Sequence, residues 1–98
     1  MQIPINLARA GKLVVVLLPH QAARREAFLE FANMLDHDPD ATIYRTNGKE
    51  QIHFASGGHI LFHRSTSVRS LTLAGADLVV IHPQLLLDQD FLTTLIPA

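Results

Sequence analysis

Six aliphatic residues, Leu13-Val14-Val15-Val16-Leu17-Leu18, run without a polar interruption up to Pro19. A strand with one wet face alternates apolar and polar residues, whereas an unbroken run has both faces covered. This segment therefore reads as an interior strand of a sheet with material packed on each side. Six residues fall well short of the roughly twenty needed to cross a bilayer, so no membrane span is expected. Asp77-Leu78-Val79-Val80-Ile81 repeats the pattern and is closed by His82-Pro83.

Each of these runs leads into a helical pattern. From Gln21 to Asp36, Ala23, Ala27, Phe28, Phe31, Met34 and Leu35 recur at three- and four-residue spacing, with Arg24, Arg25, Glu26 and Glu30 mostly elsewhere. Asp36-His37-Asp38-Pro39-Asp40 ends that helix with poor helix formers and a proline. Gln84–Leu95 carries a second broad apolar stripe of Leu85, Leu86, Phe91, Leu92, Leu95 and Ile96.

The period changes in the middle of the chain. Thr42-Ile43-Tyr44-Arg45 and Gln51-Ile52-His53-Phe54 flank Asn47-Gly48, a hairpin signal because both turn residues tolerate positive φ. A turn at Ser56-Gly57-Gly58 then leads into Ile60-Leu61-Phe62. A three-residue loop at 56–58 sets Phe54 against Ile60 and Ile52 against Phe62, with the large apolar side chains on one face. Residues from about Ser65 to Thr72 read as loop or a short helical turn. The predicted fold class is α/β: a small sheet with two buried parallel strands, each followed by a helix, plus an antiparallel meander. This is a Rossmann-like or P-loop-like half core, and residues 1–98 form one domain.

Composition narrows the function classes. A chain that is 48% hydrophobic and 17% charged is neither a disordered tail nor a coiled coil. Eight Lys and Arg against nine Asp and Glu give a net charge of −1, which disfavours a strongly electrostatic nucleic-acid binder. The absence of cysteine removes disulfides and thiolate metal sites. The start, Met1-Gln2-Ile3-Pro4, has no charged leader region, so a cytoplasmic protein is expected. So much apolar material on so short a chain also predicts self-association.

Taken in order, these segments resemble part of the ATPase core of tailed-phage large terminases, which are relatives of the helicase-type P-loop ATPases. The first strand, its proline loop and the helix after it read Val14-Val15-Val16-Leu17-Leu18-Pro19-His20-Gln21-Ala22-Ala23-Arg24-Arg25-Glu26-Ala27-Phe28. The hairpin from Arg45 to Phe62 carries the Asn-Gly and Ser-Gly-Gly turns, and Ala76-Asp77-Leu78-Val79-Val80-Ile81 is similar to the Walker B strand. The resemblance spans about Lys12 to Pro97 and implies a bacterial host cytoplasm.

The departures from that family fall on its chemistry. Walker B function needs a carboxylate at the end of the strand to hold Mg²⁺ and usually a second to polarise water. His82 and Pro83 stand there instead, and imidazole is a poor magnesium ligand. A phosphate loop needs glycines after a strand, ending in Gly-Lys-Ser/Thr at a helix start. Gly11-Lys12 precedes a strand and is followed by Leu13, and Thr72-Leu73 replaces the Arg-Gly often found before Walker B. No cofactor is expected on these grounds.

Other chemistry-bearing residues are weaker candidates. Six histidines are present, and His53, His59 and His63 are expected on the face opposite Ile52, Phe54, Ile60 and Phe62. Their spacing matches no metal motif, so no metal site is assigned and they read as polar strand positions. The Asp36–Asp40 carboxylates lack the central glycine and distal glutamate of a Ca²⁺ loop. Ser56, Ser65, Ser67 and Ser70 lie in no nucleophile motif. The candidate ligand- or partner-binding group is His20, Gln21, Arg24 and Arg25, just past the first buried strand, with His82 on the same edge. Ligands of open α/β sheets gather at that carboxyl edge, and helix N-termini favour anions.

The expected function is a non-catalytic small phage-type protein that reuses a terminase-like scaffold as a protein-binding or self-associating module. A DNA-binding regulator, or one half of a split ATPase completed by a partner subunit, are the alternatives. Nucleic acid is the less favoured partner on net charge, and no membrane partner is expected.

Overall fold

A computed structural model describes residues 2–46, 50–64 and 75–87. The element order is α1 (Gln2–Arg9), β1 (Leu13–Leu18), α2 (Gln21–Met34), β2 (Ala41–Tyr44), β3 (Gln51–Phe54), β4 (His59–Arg64), β5 (Leu78–Ile81) and a 3-10 helix, Pro83–Leu87. The five strands form one mixed sheet in the order β2-β3-β4-β1-β5. β1 runs parallel to both β4 and β5, and the β2-β3-β4 meander is antiparallel. The α/β class, the parallel β1 and β5 and the meander all stand, but β5, expected to be buried on both faces, ends the described sheet and is only half-buried because it has β1 on one side alone. Among the described residues, no helix is long and apolar enough to cross a membrane.

The position of β1 explains its composition. Val14, Val16 and Leu18 face the helices and pack with Phe28 and Phe31 of α2, Ile52 and Phe54 of β3, and Ile60 and Phe62 of β4. Val15 and Leu17 face the other way, against Leu85 of the 3-10 helix, with Leu13, Ala76, Val79 and Ile81 around them. Phe62 anchors the larger cluster through edge-on contacts with Phe28 and Phe31, at 5.5 and 5.4 Å between ring centres. Asp77 pins the start of the parallel pair: its Oδ2 accepts from the Leu13 N–H (2.9 Å) and its own N–H donates to the Leu13 carbonyl (2.8 Å).

Three features differ from the sequence reading. First, Gln2–Arg9 is a helix that periodicity did not suggest, carrying Pro4 in its first turn, where a missing N–H costs nothing. Its Pro4, Ile5 and Ala8 are buried. Second, β3 and β4 pair with Ile52 opposite Ile60 and His53 opposite His59, two residues away from the expected register. The Gly57 N–H donates to the Phe54 carbonyl and the Phe54 N–H to Gly58. The loop is therefore residues 55–57, with Gly57 at φ +96 as its left-handed residue. A shift of two keeps every side chain on its own face, so the apolar pattern was satisfied by either pairing. Third, Met34 is 49% exposed, off the apolar stripe, and Arg24 is buried on it.

Of the second helix expected from Gln84 to Leu95, the described part is the 3-10 turn; the rest lies outside the described residues. So do the Asn47-Gly48 turn and the segment from Ser65 to Thr72.

Candidate functional site

His20 follows β1 and is the N-cap of α2, with extended backbone (φ −155, ψ 172) and Nδ1 accepting from the Ala23 N–H at 3.2 Å. That bond satisfies one of the helix's unpaired first-turn donors. His82 does the same after β5: its Nδ1 accepts from the Gln84 N–H at 3.1 Å, at the start of the 3-10 helix. Its backbone N–H donates to the Leu17 carbonyl (3.1 Å), which extends the β1–β5 ladder by one bond.

The two capping histidines sit at a place of topological consequence. β1 and β5 are parallel neighbours, with Leu17 beside Ile81. After β1 the chain passes to the face packed by α2, and after β5 it passes to the face packed by Leu85. The segments leaving two adjacent parallel strands thus part to opposite faces, the arrangement at whose carboxyl ends open α/β sheets bind ligands. His20 and His82 lie there, with Gln21 as the first residue of α2.

Arg24 does not join them. Its side chain turns under α2 and is 7% exposed; Nε donates to the Phe62 carbonyl at 2.8 Å and NH1 to Gln21 Oε1 at 3.2 Å. The second terminal nitrogen lies 3.0 Å from Oε1 of Glu50, itself buried. Glu50 Oε1 nevertheless makes no well-directed hydrogen bond. The pair is therefore held by charge, and the directional anchor is the Phe62 carbonyl. The expectation that Arg24 serves a ligand at that edge is corrected: its guanidinium is instead buried and directed at the Phe62 carbonyl, Gln21 and Glu50. Gln21 is partly committed too, through the same guanidinium.

Arg25 is exposed and points elsewhere. With Arg45, Phe28, Leu29 and Glu50 it lines a pocket of about 100 Å³ between α2 and the entry to β3. The five expected site residues thus divide into His20, Gln21 and His82 at the carboxyl edge, Arg24 in the interior, and Arg25 at a side pocket.

Sequence reasoning did not find Glu50, the ion-pair partner of Arg24. The usable signal was the spacing of Arg24, Phe28, Phe31 and Leu35, which places the arginine on the buried line of α2. An arginine on a buried line requires a buried acceptor.

Other titratable groups lie away from this edge or serve the scaffold. Arg9 pairs with Asp38 at 2.6 Å. Asp38 Oδ1 also accepts from the Asp40 N–H at 2.9 Å, so the acidic segment closes a turn. The bond from Arg9, and then that from Asp40, hold the Asp38 carboxyl below its ordinary pKa. His63 is half-buried; burial, and then the nearby Arg24 charge, lower its pKa. Among the described residues, no group of three or more His, Cys, Asp or Glu is placed to hold a metal ion.

The Mg²⁺–triphosphate chemistry implied by the terminase-like resemblance does not fit the residues present. The loop leaving β1 is Pro19-His20-Gln21, without glycine or lysine, and β5 ends in His82-Pro83 without a carboxylate. Gly48-Lys49 is followed by Glu50, so it supplies no Gly-Lys-Ser/Thr either. No protein-family model matches the chain, and no curated protein or solved structure matches it.

Proposed function

We propose that this chain is a non-catalytic association module, a terminase-like half core that joins a second copy of itself through the free edge of β2. The observation that carries this reading is the make-up of that edge. The Ala55 N–H donates to the Asp40 carbonyl at 2.9 Å, which sets the phase of the β2–β3 ladder. Thr42 and Tyr44 therefore exchange bonds with β3, while the N–H and C=O of Ile43 and the C=O of Ala41 point away from the sheet. Natural edge strands block unwanted pairing with prolines or charges. Ala41-Thr42-Ile43-Tyr44 has neither.

The edge is self-complementary. A two-fold axis at Ile43 lets each Ile43 N–H donate to the other copy's Ile43 carbonyl, and each Arg45 N–H to the other's Ala41 carbonyl. Exposed Asp40 precedes the strand and exposed Arg45 follows it, so antiparallel pairing brings the acidic end of one copy to the basic end of the other. A net charge of −1 leaves little repulsion between copies and favours protein over nucleic acid as the partner. The non-catalytic half of the reading is supported by His82-Pro83, which stand where the resemblance calls for magnesium-binding carboxylates, and by a sequence without a Gly-Lys-Ser/Thr loop.

Sedimentation velocity over a concentration series tests the association. The wild-type chain is expected to dimerise, and Ile43→Pro to remain monomeric with an unchanged circular-dichroism spectrum. Proline is tolerated there because the N–H it removes faces outward on an edge strand. A wild-type chain that stays monomeric throughout, or an Ile43→Pro variant that still dimerises, contradicts the reading.

A further inference from the structure

The corrected register brings two imidazoles together. His53 on β3 stands directly opposite His59 on β4, with ring centres 4.1 Å apart. Tyr44 of β2 backs the other side of His53 at 4.7 Å between ring centres. His53 Nε2 lies 2.6 Å from the side-chain oxygen of Gln51. An amide oxygen only accepts, so this contact is a hydrogen bond in the tautomer that carries its proton on Nε2 and keeps the Nδ1 lone pair. His59 Nδ1 is sealed from solvent and has no hydrogen-bond partner among the described residues. A buried ring nitrogen left in that state calls for a partner.

We propose that His53 and His59 form a two-imidazole site for a divalent first-row transition cation, held across the β3–β4 ladder. Imidazole nitrogens bind such ions at about 2.0–2.1 Å, so rings this close share one ion after modest side-chain rotation. The ladder fixes both Cβ positions in advance. Gln51 supplies the outer contact that ligating histidines generally make, holding the ring orientation and leaving the opposite nitrogen as donor.

The donor set also decides which ions qualify. No third His or carboxylate joins the pair among the described residues, so water fills the remaining positions. Nitrogen donors without carboxylates disfavour Mg²⁺ and Ca²⁺ and follow the order in which Cu²⁺ binds most tightly, ahead of Ni²⁺ and Zn²⁺. His63 provides an internal control. It shares the face but lies four residues further along β4, about 13 Å away at the strand rise.

Calorimetric titration of the tag-free full chain with Cu²⁺, Ni²⁺ and Zn²⁺, together with electron paramagnetic resonance of the Cu²⁺ form, tests the site. One saturable ion per chain is expected, with hyperfine structure from two nitrogens. His53→Ala and His59→Ala should each weaken binding about tenfold or more. Gln51→Leu, which removes no ligand, should weaken it about tenfold, and His63→Ala should leave it unchanged. The resonance spectrum needs no variant, so the test survives a substitution that fails to fold. Unsaturable binding, a Cu²⁺ spectrum without two nitrogens, or affinity retained in both His53→Ala and His59→Ala overturns the proposal.

Discussion

Replacing Arg24 with methionine should lower the free energy of unfolding by about 3–5 kcal/mol, the usual cost of removing one partner from a buried ion pair. The methionine fills much of the volume, so the loss comes from polar groups rather than a cavity. Glu50 is left buried beside α2 without its paired cation, and the Phe62 carbonyl loses the Nε donor that reaches it at 2.8 Å. A domain of this size is stable by only about 5–15 kcal/mol, so the change consumes much of the total. The melting temperature should fall by about 15–30 °C. The double variant Arg24→Met, Glu50→Leu should recover most of the loss, because an apolar pair of similar volume carries no stranded charge. A residual deficit of about 1 kcal/mol should persist from the Phe62 carbonyl. Urea denaturation of the two singles and the double closes this cycle. An Arg24→Met effect within about 0.5 kcal/mol, as for a surface arginine, would show that the side chain is not held inside.

Gly58→Ala is the second large effect, and its cause is steric. A Cβ at Gly58 would stand 1.7 Å from the Ala8 carbonyl oxygen and 2.6 Å from its carbon. Both atoms are backbone of α1 and cannot rotate aside, so the helix must move off the β3–β4 turn. Ser56 Oγ donates to the same Ala8 carbonyl at 3.2 Å, and that bond goes with it. The cost should reach or exceed the upper end of the about 1–3 kcal/mol typical of overpacking. Gly57 is the natural control. A Cβ there meets nothing within 4 Å, but φ +96 is unfavourable for alanine. Gly57→Ala should therefore cost only about 1–2 kcal/mol, all of it conformational. Thermal melts of both variants decide the matter. Equal effects, or the larger one at Gly57, would mean that α1 does not pack on this turn.

Much of the scaffold was legible because burial on two faces leaves an unmistakable trace. The Leu13–Leu18 run marks an interior strand, whereas the equally unbroken Leu78–Ile81 ends the described sheet and is only half-buried; the alternation in Gln51–Phe54 and His59–Arg64 marks half-covered strands. The β3–β4 offset was not legible, since alternation specifies a face and is blind to a shift of two. The helix Gln2–Arg9 was hidden by its brevity and by Pro4, and its docking depends on Gly58, fifty residues from Ala8 in sequence. His20 and His82 were found for the right edge but not for their local role. Capping is usually signalled by Ser, Thr, Asp or Asn, and histidine gives no such cue. Arg24 was placed on the polar side because a charge was read as exposed. Its partner Glu50 is set by the tertiary fold, which no local spacing records.

The histidine pair shows how such an error conceals chemistry. In the expected register His53 faced Leu61, and the three strand histidines had no relation beyond a shared face. In the observed one, His53 and His59 are direct neighbours with an outer contact at Gln51. A site of this kind becomes visible only once the pairing is known.

The non-catalytic reading rests on His82 and Pro83, which stand where the resemblance calls for carboxylates, and on a sequence with no Gly-Lys-Ser/Thr loop. Calorimetric titration of the purified chain with Mg²⁺·ATP, followed by assay of released phosphate from the same sample, is its most direct test. The account predicts no saturable heat and no phosphate release. Turnover by the chain alone, abolished by His82→Ala in a variant that still folds, would contradict it.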